Sequence, residues 1–202
     1  LKYLDKNRAK IIFYASSSSV YGDNKNYPVN EKMSPKPKNI YAFTKVSNEI
    51  TAKLFSKLFK KKFIGLRFFT VYGEWGRPDM LIYKYLTSVI NNKTFHINNY
   101  GKDLRDFTYI GDVIEILLIL IKKKSLMKEH DVYNICSNNP ISTNTVIQSL
   151  SLNYKTKLKY EKPNDLEMLK THGDNKKILN ITSFKKFSNF NEKIKLCIEW
   201  YK

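Results

Sequence analysis

The chain has 202 residues, of which 42% are hydrophobic and 14% aromatic. That is enough apolar material to bury a core without disulfides or metal, and it excludes a disordered chain. The longest apolar stretch, 113–121, is broken by Glu115 and falls short of the roughly 20 residues a membrane span needs. Cys136 and Cys197 stand far apart with no Cys-x-x-Cys. No disulfide scaffold or zinc site is therefore expected, and a reducing, cytoplasmic setting is.

The 36 basic residues exceed the 18 acidic ones, for a net charge of +18, which invites a polyanionic partner. The kind of base argues otherwise. Arginine occurs only at Arg8, Arg67, Arg77 and Arg105, whereas phosphate and base recognition favours the planar guanidinium fork. The lysines are scattered, with short runs at 60–62 and 122–124, where they complement expected helix C-termini. No nucleic-acid partner is expected. In a chain that otherwise uses Lys, each Arg marks a place where guanidinium geometry matters.

In chain order, Lys10–Ala15 is a short continuous apolar run, the pattern of a buried parallel strand. It opens into Ser16–Ser19 and then Val20-Tyr21-Gly22. A polar loop with Pro28, Pro35 and Pro37 follows. From Tyr41, Val46, Ile50, Leu54 and Leu58 repeat every four residues, as in an amphipathic helix running to about Lys60. Phe63–Phe69 reads as a second buried strand, completing a right-handed strand–helix–strand unit. Helices are expected over 81–91, 108–123 (Asp112 near the start), 142–152 (capped by Ser142 or Thr143) and 191–201. A strand is expected over 131–136. The regular alternation ends near Gly73, which suggests a nucleotide-type half followed by a smaller lobe.

Tyr41 and Lys45 lie one turn apart on one helix face. An ammonium beside a phenol favours the phenolate, and so a general base for an alcohol. The spacing alone is weak. It gains weight from the serine cluster at the C-terminal end of a parallel strand, where open α/β sheets bind ligands.

Four segments then occur in order: Ser16–Gly22, Tyr41-x-x-x-Lys45, Leu66–Gly73 (LRFFTVYG) and Arg105–Ile110 (RDFTYI). Together they resemble the NAD-dependent nucleotide-sugar epimerase/dehydratase family, the extended short-chain dehydrogenases, from Lys10 to about Tyr201. Segment 69–80 (FTVYGEWGRPDM) is most similar to that of bacterial UDP-glucuronate 4-epimerases. The resemblance implies an α/β fold: the C-terminal part of a Rossmann-type parallel sheet with helices, plus a smaller mixed substrate-binding lobe. Residues 1–73 would belong to the NAD-binding domain. Residues 74–202 would be mainly the nucleotide-sugar lobe, with a strand and helix returning to the Rossmann domain around 108–136.

The same resemblance implies the chemistry and its residues. NAD is the cofactor, a UDP-sugar the substrate, and the reaction a 4-epimerisation through a 4-keto sugar. Tyr41 would be the base, with Lys45 beside it holding the nicotinamide ribose. Ser17 would bond the 4-oxygen, and Phe69 would lie by the nicotinamide. Ser18 and Ser19 would line the sugar pocket; a dehydratase or decarboxylase would carry carboxylates there. Thr70 and Arg77 would clamp a sugar carboxylate, Arg105 would pair with the diphosphate, and Phe95–Asn98 would lie near the uracil. Asp165, in Lys162-Pro163-Asn164-Asp165, would contact the nucleotide, although Lys162 replaces the family's Arg and Asn164 its Gly. A homodimer through helices including that of Tyr41 is implied, and no metal is. Another UDP-sugar, such as UDP-glucose or an N-acetylated hexosamine or uronate, and an inactive truncated remnant are the alternatives.

One expected motif is missing. No Gly-x-x-Gly-x-x-Gly turn occurs among the seven glycines, and no acidic residue follows at ribose-reading distance. The chain also opens on Leu1 rather than Met, with no leader pattern after it. These features read as a piece of a longer frame that lacks on the order of 100 residues of cofactor-binding βαβ structure. By itself it is expected to be inactive and to bind NAD weakly; stoichiometric NAD binding by these 202 residues in calorimetry would refute this.

Overall fold

The computed structural model describes residues 9–163 and 168–201. The first strand, β1 (Ile11–Ser17), leads through a 3-10 turn (Ser18–Tyr21) and a long loop to helix α1 (Ile40–Phe59). The Asn39 side chain caps α1 by accepting from the Ala42 N–H, which satisfies one of the orphan donors at its start. Strand β2 (Lys62–Phe68) follows and pairs parallel with β1, Ser16 opposite Arg67 and Ser17 opposite Phe68. On its other side β2 pairs parallel with β6 (His130–Ile135). The order β1-β2-β6 puts the most buried strand in the centre, where five of its seven residues are buried.

The second lobe begins with β3 (Thr70–Tyr72) and α2 (Leu81–Ile90). Strand β4 (Phe95–Ile97) comes next, and then β5 (Leu104–Tyr109), which runs directly into α3 (Ile110–Lys122). Beyond β6 come β7 (Pro140–Ser142) and α4 (Thr143–Ser151), capped by Ser142, whose Oγ accepts from the Thr145 N–H. Strand β8 (Leu158–Tyr160), α5 (Lys176–Thr182) and α6 (Phe190–Trp200) close the chain. Strands β3, β5 and β7 form one small sheet with β5 central, and β4 pairs parallel with β8.

Two large cores and a smaller cluster around Val20, Tyr21 and Phe69 carry this arrangement. One fills the space around the β1-β2-β6 sheet with Ile64, Leu66, Ile116, Leu120, Tyr133 and Ile135. Ile178 and Phe184 belong to it, so the chain returns to the first layer after residue 175 as well as through α3 and β6. The other core joins Tyr85 and Leu86 of α2, Phe107, Ile147 and Leu150 of α4, and Ile194 and Ile198 of α6.

Three expectations change. The segment 108–123 is divided: Thr108 and Tyr109 end β5, and the helix starts at Ile110. Helix α5, seven residues long, was not anticipated. The helix over 40–59 has the expected period, but its apolar stripe faces outward. Ile50, Leu54 and Leu58 are 58%, 63% and 68% exposed, whereas Ala42, Glu49, Ala52 and Ser56 are buried. Small residues on the inner face let the helix axis approach the sheet, and the large aliphatic ones are left outside.

The inner face carries a charge. Glu49 Oε1 and Oε2 accept from Arg67 Nε and Nη2 at 2.8 and 2.7 Å, and Oε1 also accepts from Ser16 Oγ at 2.5 Å. Arg67 Nη1 donates to Tyr21 Oη at 2.8 Å, and Tyr21 Oη donates to Asn134 Oδ1 at 2.6 Å. Burial alone would lower the Arg67 pKa; the hydrogen bonds and charge supplied by Glu49 and Tyr21 outweigh it, and the pKa is raised. Removing one member leaves the other charged, buried and unpaired. Arg67→Ala should therefore cost about 3–5 kcal/mol in urea unfolding, and a Glu49→Leu/Arg67→Met double variant should recover most of that loss.

His130 gives a pH signature. Burial lowers its pKa below the ordinary histidine value, so the unfolded chain takes up the proton first as pH falls. Its contribution to stability is complete above the unfolded pKa, about 6.5, and declines as pH drops through and below that value. Urea midpoints at pH 7.5 and 5.5 should differ less in His130→Gln than in the parent chain.

Candidate functional site

The C-terminal ends of β1 and β2 and the first turn of α1 converge on one cavity of about 360 Å³. Ser17, Tyr41, Lys45, Phe69 and Arg77 all line it, together with Glu74 and Trp75 of the loop after β3. Each arrives for a local reason. Ser17 is the last residue of β1 and caps the following turn; its Oγ accepts from the Ser19 N–H at 3.2 Å and from Ser19 Oγ at 2.9 Å. Tyr41 and Lys45 sit one turn apart on α1, with Lys45 Nζ 5.6 Å from the Tyr41 ring centroid. Lys45 Nζ also donates to the Ala15 carbonyl at 3.2 Å, which ties the helix to the end of β1. Tyr41 itself is half-exposed and belongs to the cavity lining.

Thr70 and Arg77 meet in an adjoining small cavity with Tyr72, Met80 and Tyr201. Arg77 borders both spaces, while Thr70 is absent from the lining of the Tyr41 cavity. The Arg77 guanidinium is exposed and forms a bidentate pair with Asp79, Nε to Oδ1 at 2.9 Å and Nη2 to Oδ2. That hydrogen bonding raises the Arg77 pKa and lowers that of Asp79. Thr70 also borders a third cavity, of about 310 Å³, which contains Arg105, Lys84 and Phe95–Asn98. Arg105 there spends one bond on the Leu104 carbonyl at 3.2 Å and lies 3.6 Å from Asp103.

Two expected contacts are placed differently. Ser18 and Ser19 lie in the 3-10 turn and do not line the Tyr41 cavity; Ser19 turns back onto Ser17. The Phe69 ring touches the cavity from within a buried cluster with Val20, Tyr21, Val29 and Cys136. Asp165 lies outside the described residues. No cluster of three or more potential metal ligands occurs among the described residues, and no described helix is long and apolar enough to cross a membrane.

The sequence reading missed Glu49, Asp79 and Asp106. Glu49 was detectable as a carboxylate four residues after Lys45, on the face opposite the apolar stripe. Asp79 stands two residues from Arg77. Asp106 is fully buried beside Arg105; its carboxylate accepts from the Ser137 N–H and Oγ and from the Gly173 N–H, and burial raises its pKa. It holds two distant loops to β5, behind the arginine.

A serine, a tyrosine and a lysine thus gather at parallel strand ends, next to two arginine-lined spaces. The model of the NAD dependent epimerase/dehydratase family matches residues 1–136. The chain belongs to this family. An uncharacterised protein of Methanocaldococcus jannaschii is 38% identical over 94% of the chain and 58% of its own length. UDP-glucuronate 4-epimerase 4 of Arabidopsis thaliana is 30% identical over 96% of the chain and 48% of its own length. The Bacillus cereus UDP-glucuronic acid 4-epimerase, solved with UDP-glucuronic acid and NAD, superposes with a TM-score of 0.91 at 25% identity, over 99% of the chain and 64% of that structure. The chain thus spans about half to two-thirds of the length of these epimerase-family relatives.

The serine turn depends on one glycine. Gly22 has φ +60 and ψ −156, and a Cβ there would sit 2.0 Å from the Lys36 carbonyl oxygen. That backbone region is essentially restricted to glycine. Gly22→Ala should destabilise the chain by about 1–3 kcal/mol in urea unfolding.

Proposed function

We propose that the protein carrying this chain is an NAD-dependent UDP-sugar 4-epimerase, and that it interconverts UDP-glucuronate and UDP-galacturonate. The observation that carries the reading is the single cavity that gathers Ser17, Tyr41, Lys45 and Arg77. The relatives named UDP-glucuronate 4-epimerase support the choice of sugar.

The residues fit the nicotinamide–ribose end of NAD. Lys45 retains donors beyond its one bond to Ala15, as the ribose hydroxyls require, and Phe68 and Phe69 supply apolar surface for a ring. The Gly-rich turn that would hold the pyrophosphate is not in this sequence. When bound, NAD supplies a ring that takes a hydride from carbon 4 of the sugar and returns it to the opposite face. Tyr41 accepts the proton of the 4-hydroxyl and later gives it back. The Lys45 ammonium faces the phenol and keeps it oriented toward that oxygen. Ser17 holds the 4-oxygen. Thr70 and Arg77 grip the carboxylate of the uronate, which restrains loss of carbon dioxide from the 4-keto acid by fixing its geometry. Arg105 and Lys84 face the diphosphate. The outward stripe of Ile50, Leu54 and Leu58 supports a homodimer packed helix to helix along α1.

Two measurements test this reading in the full-length protein. Tyr41→Phe should abolish turnover of UDP-glucuronate while UDP-sugar binding persists; undiminished turnover would end the assignment. Asp79 competes with the substrate for Arg77. Asp79→Asn should therefore tighten UDP-glucuronate relative to UDP-glucose by about two- to fivefold, the worth of an exposed ion pair.

A further inference from the structure

Ser17 Oγ is fully committed as an acceptor. It receives the Ser19 N–H at 3.2 Å and Ser19 Oγ at 2.9 Å. A serine hydroxyl has two acceptor sites and one proton. With both acceptor sites filled from behind, the proton is all that Ser17 has left to offer the cavity it lines.

We infer that Ser19 is a positioning residue: by filling the acceptor sites of Ser17 it fixes the Ser17 hydroxyl as a hydrogen-bond donor to the 4-oxygen of the bound UDP-sugar. The inference rests on the UDP-sugar reading of the cavity. Its consequence concerns the one proton on the sugar 4-hydroxyl, which has two neighbours able to take it, Ser17 and Tyr41. A Ser17 free to accept would compete with Tyr41 for that proton and hold the hydroxyl in an unproductive orientation. A Ser17 committed to donating leaves Tyr41 as the only acceptor, and it also polarises the oxygen in the direction in which charge develops as the proton leaves.

The surrounding structure holds Ser19 rigidly in this role. Its carbonyl accepts from the Gly22 N–H at 3.2 Å, and the Val20 carbonyl accepts from the Lys36 N–H at 2.8 Å. Val20 and Tyr21 are buried, and the Tyr21 hydroxyl is bonded to Arg67 and Asn134. Ser19 does not line the Tyr41 cavity, so its effect on the reaction passes through Ser17.

A double-mutant cycle in the full-length enzyme tests the inference, with UDP-glucuronate turnover in saturating NAD as one readout. Calorimetric affinity for UDP-4-deoxy-4-fluoroglucuronate relative to the 4-deoxy compound is the other, because fluorine accepts a hydrogen bond and cannot donate one. Ser19→Ala should lower kcat about three- to tenfold, the worth of one such hydrogen bond, with KM changed less than twofold. It should also bring the fluoro/deoxy affinity ratio toward one. Ser19→Thr keeps a hydroxyl and should restore both. In a Ser17→Ala background, Ser19→Ala should have no further effect on either. A Ser19→Ala loss that persists undiminished in that background, a loss confined to KM, or parent-like values throughout would each overturn the inference. A parent enzyme that neither turns over nor binds UDP-sugars would instead overturn the underlying assignment of the cavity.

Discussion

The buried pair of Glu49 and Arg67 decides where the site can be. Three parallel strands present Ser16, Arg67 and Asn134 in one row across the sheet, and Glu49 is the group on α1 that meets this row. A bidentate, charge-assisted contact fixes both the distance and the rotation of the helix. Tyr41 and Lys45 lie two turns and one turn before Glu49 on the same helix, so their placement over the end of β1 follows from that contact. The small residues around Glu49 permit the close approach. Apolar packing alone would hold the helix on the sheet but would leave its rotation about its own axis less well defined.

The second lobe meets this frame along β3, β5 and α3. Thr70 opens β3 one residue after Phe69, and Arg105 lies in the neighbouring strand β5. Arg77 and Arg105 therefore reach the cavities from the lobe, while Ser17, Tyr41 and Lys45 come from the sheet and α1. Taken together, the three adjoining cavities draw their lining from both halves.

Much of this was legible in the sequence. Strand 62–68 appears as an apolar run because both of its faces are covered, 11–17 shows such a run although most of it is only half-buried, and α1, α2, α4 and α6 show clear helical periods. The serine turn, Tyr41 and Lys45 could be placed because their order along the chain restricts where they meet. Other features left little trace. Strands β3, β4, β7 and β8 have three residues each, too few for a period. Helix α5 lies in a Lys- and Asn-rich stretch and depends on tertiary packing of Ile178. The outward stripe of α1 shows that a hydrophobic period reveals a helix without revealing which side meets the sheet; here the hydrogen bonds of Glu49 settle that. The turn-back of Ser19 onto Ser17 is a matter of backbone angle at the end of β1, which residue types alone do not encode.

The exposed stripe of α1 and the Tyr41–Lys45 pair are opposite sides of one 20-residue rod. The Glu49–Arg67 contact holds this rod near its middle, so Leu54 and Leu58 lie beyond it toward one end and Tyr41 and Lys45 before it toward the other. A surface settling on the stripe would therefore leave the lining of the Tyr41 cavity uncovered.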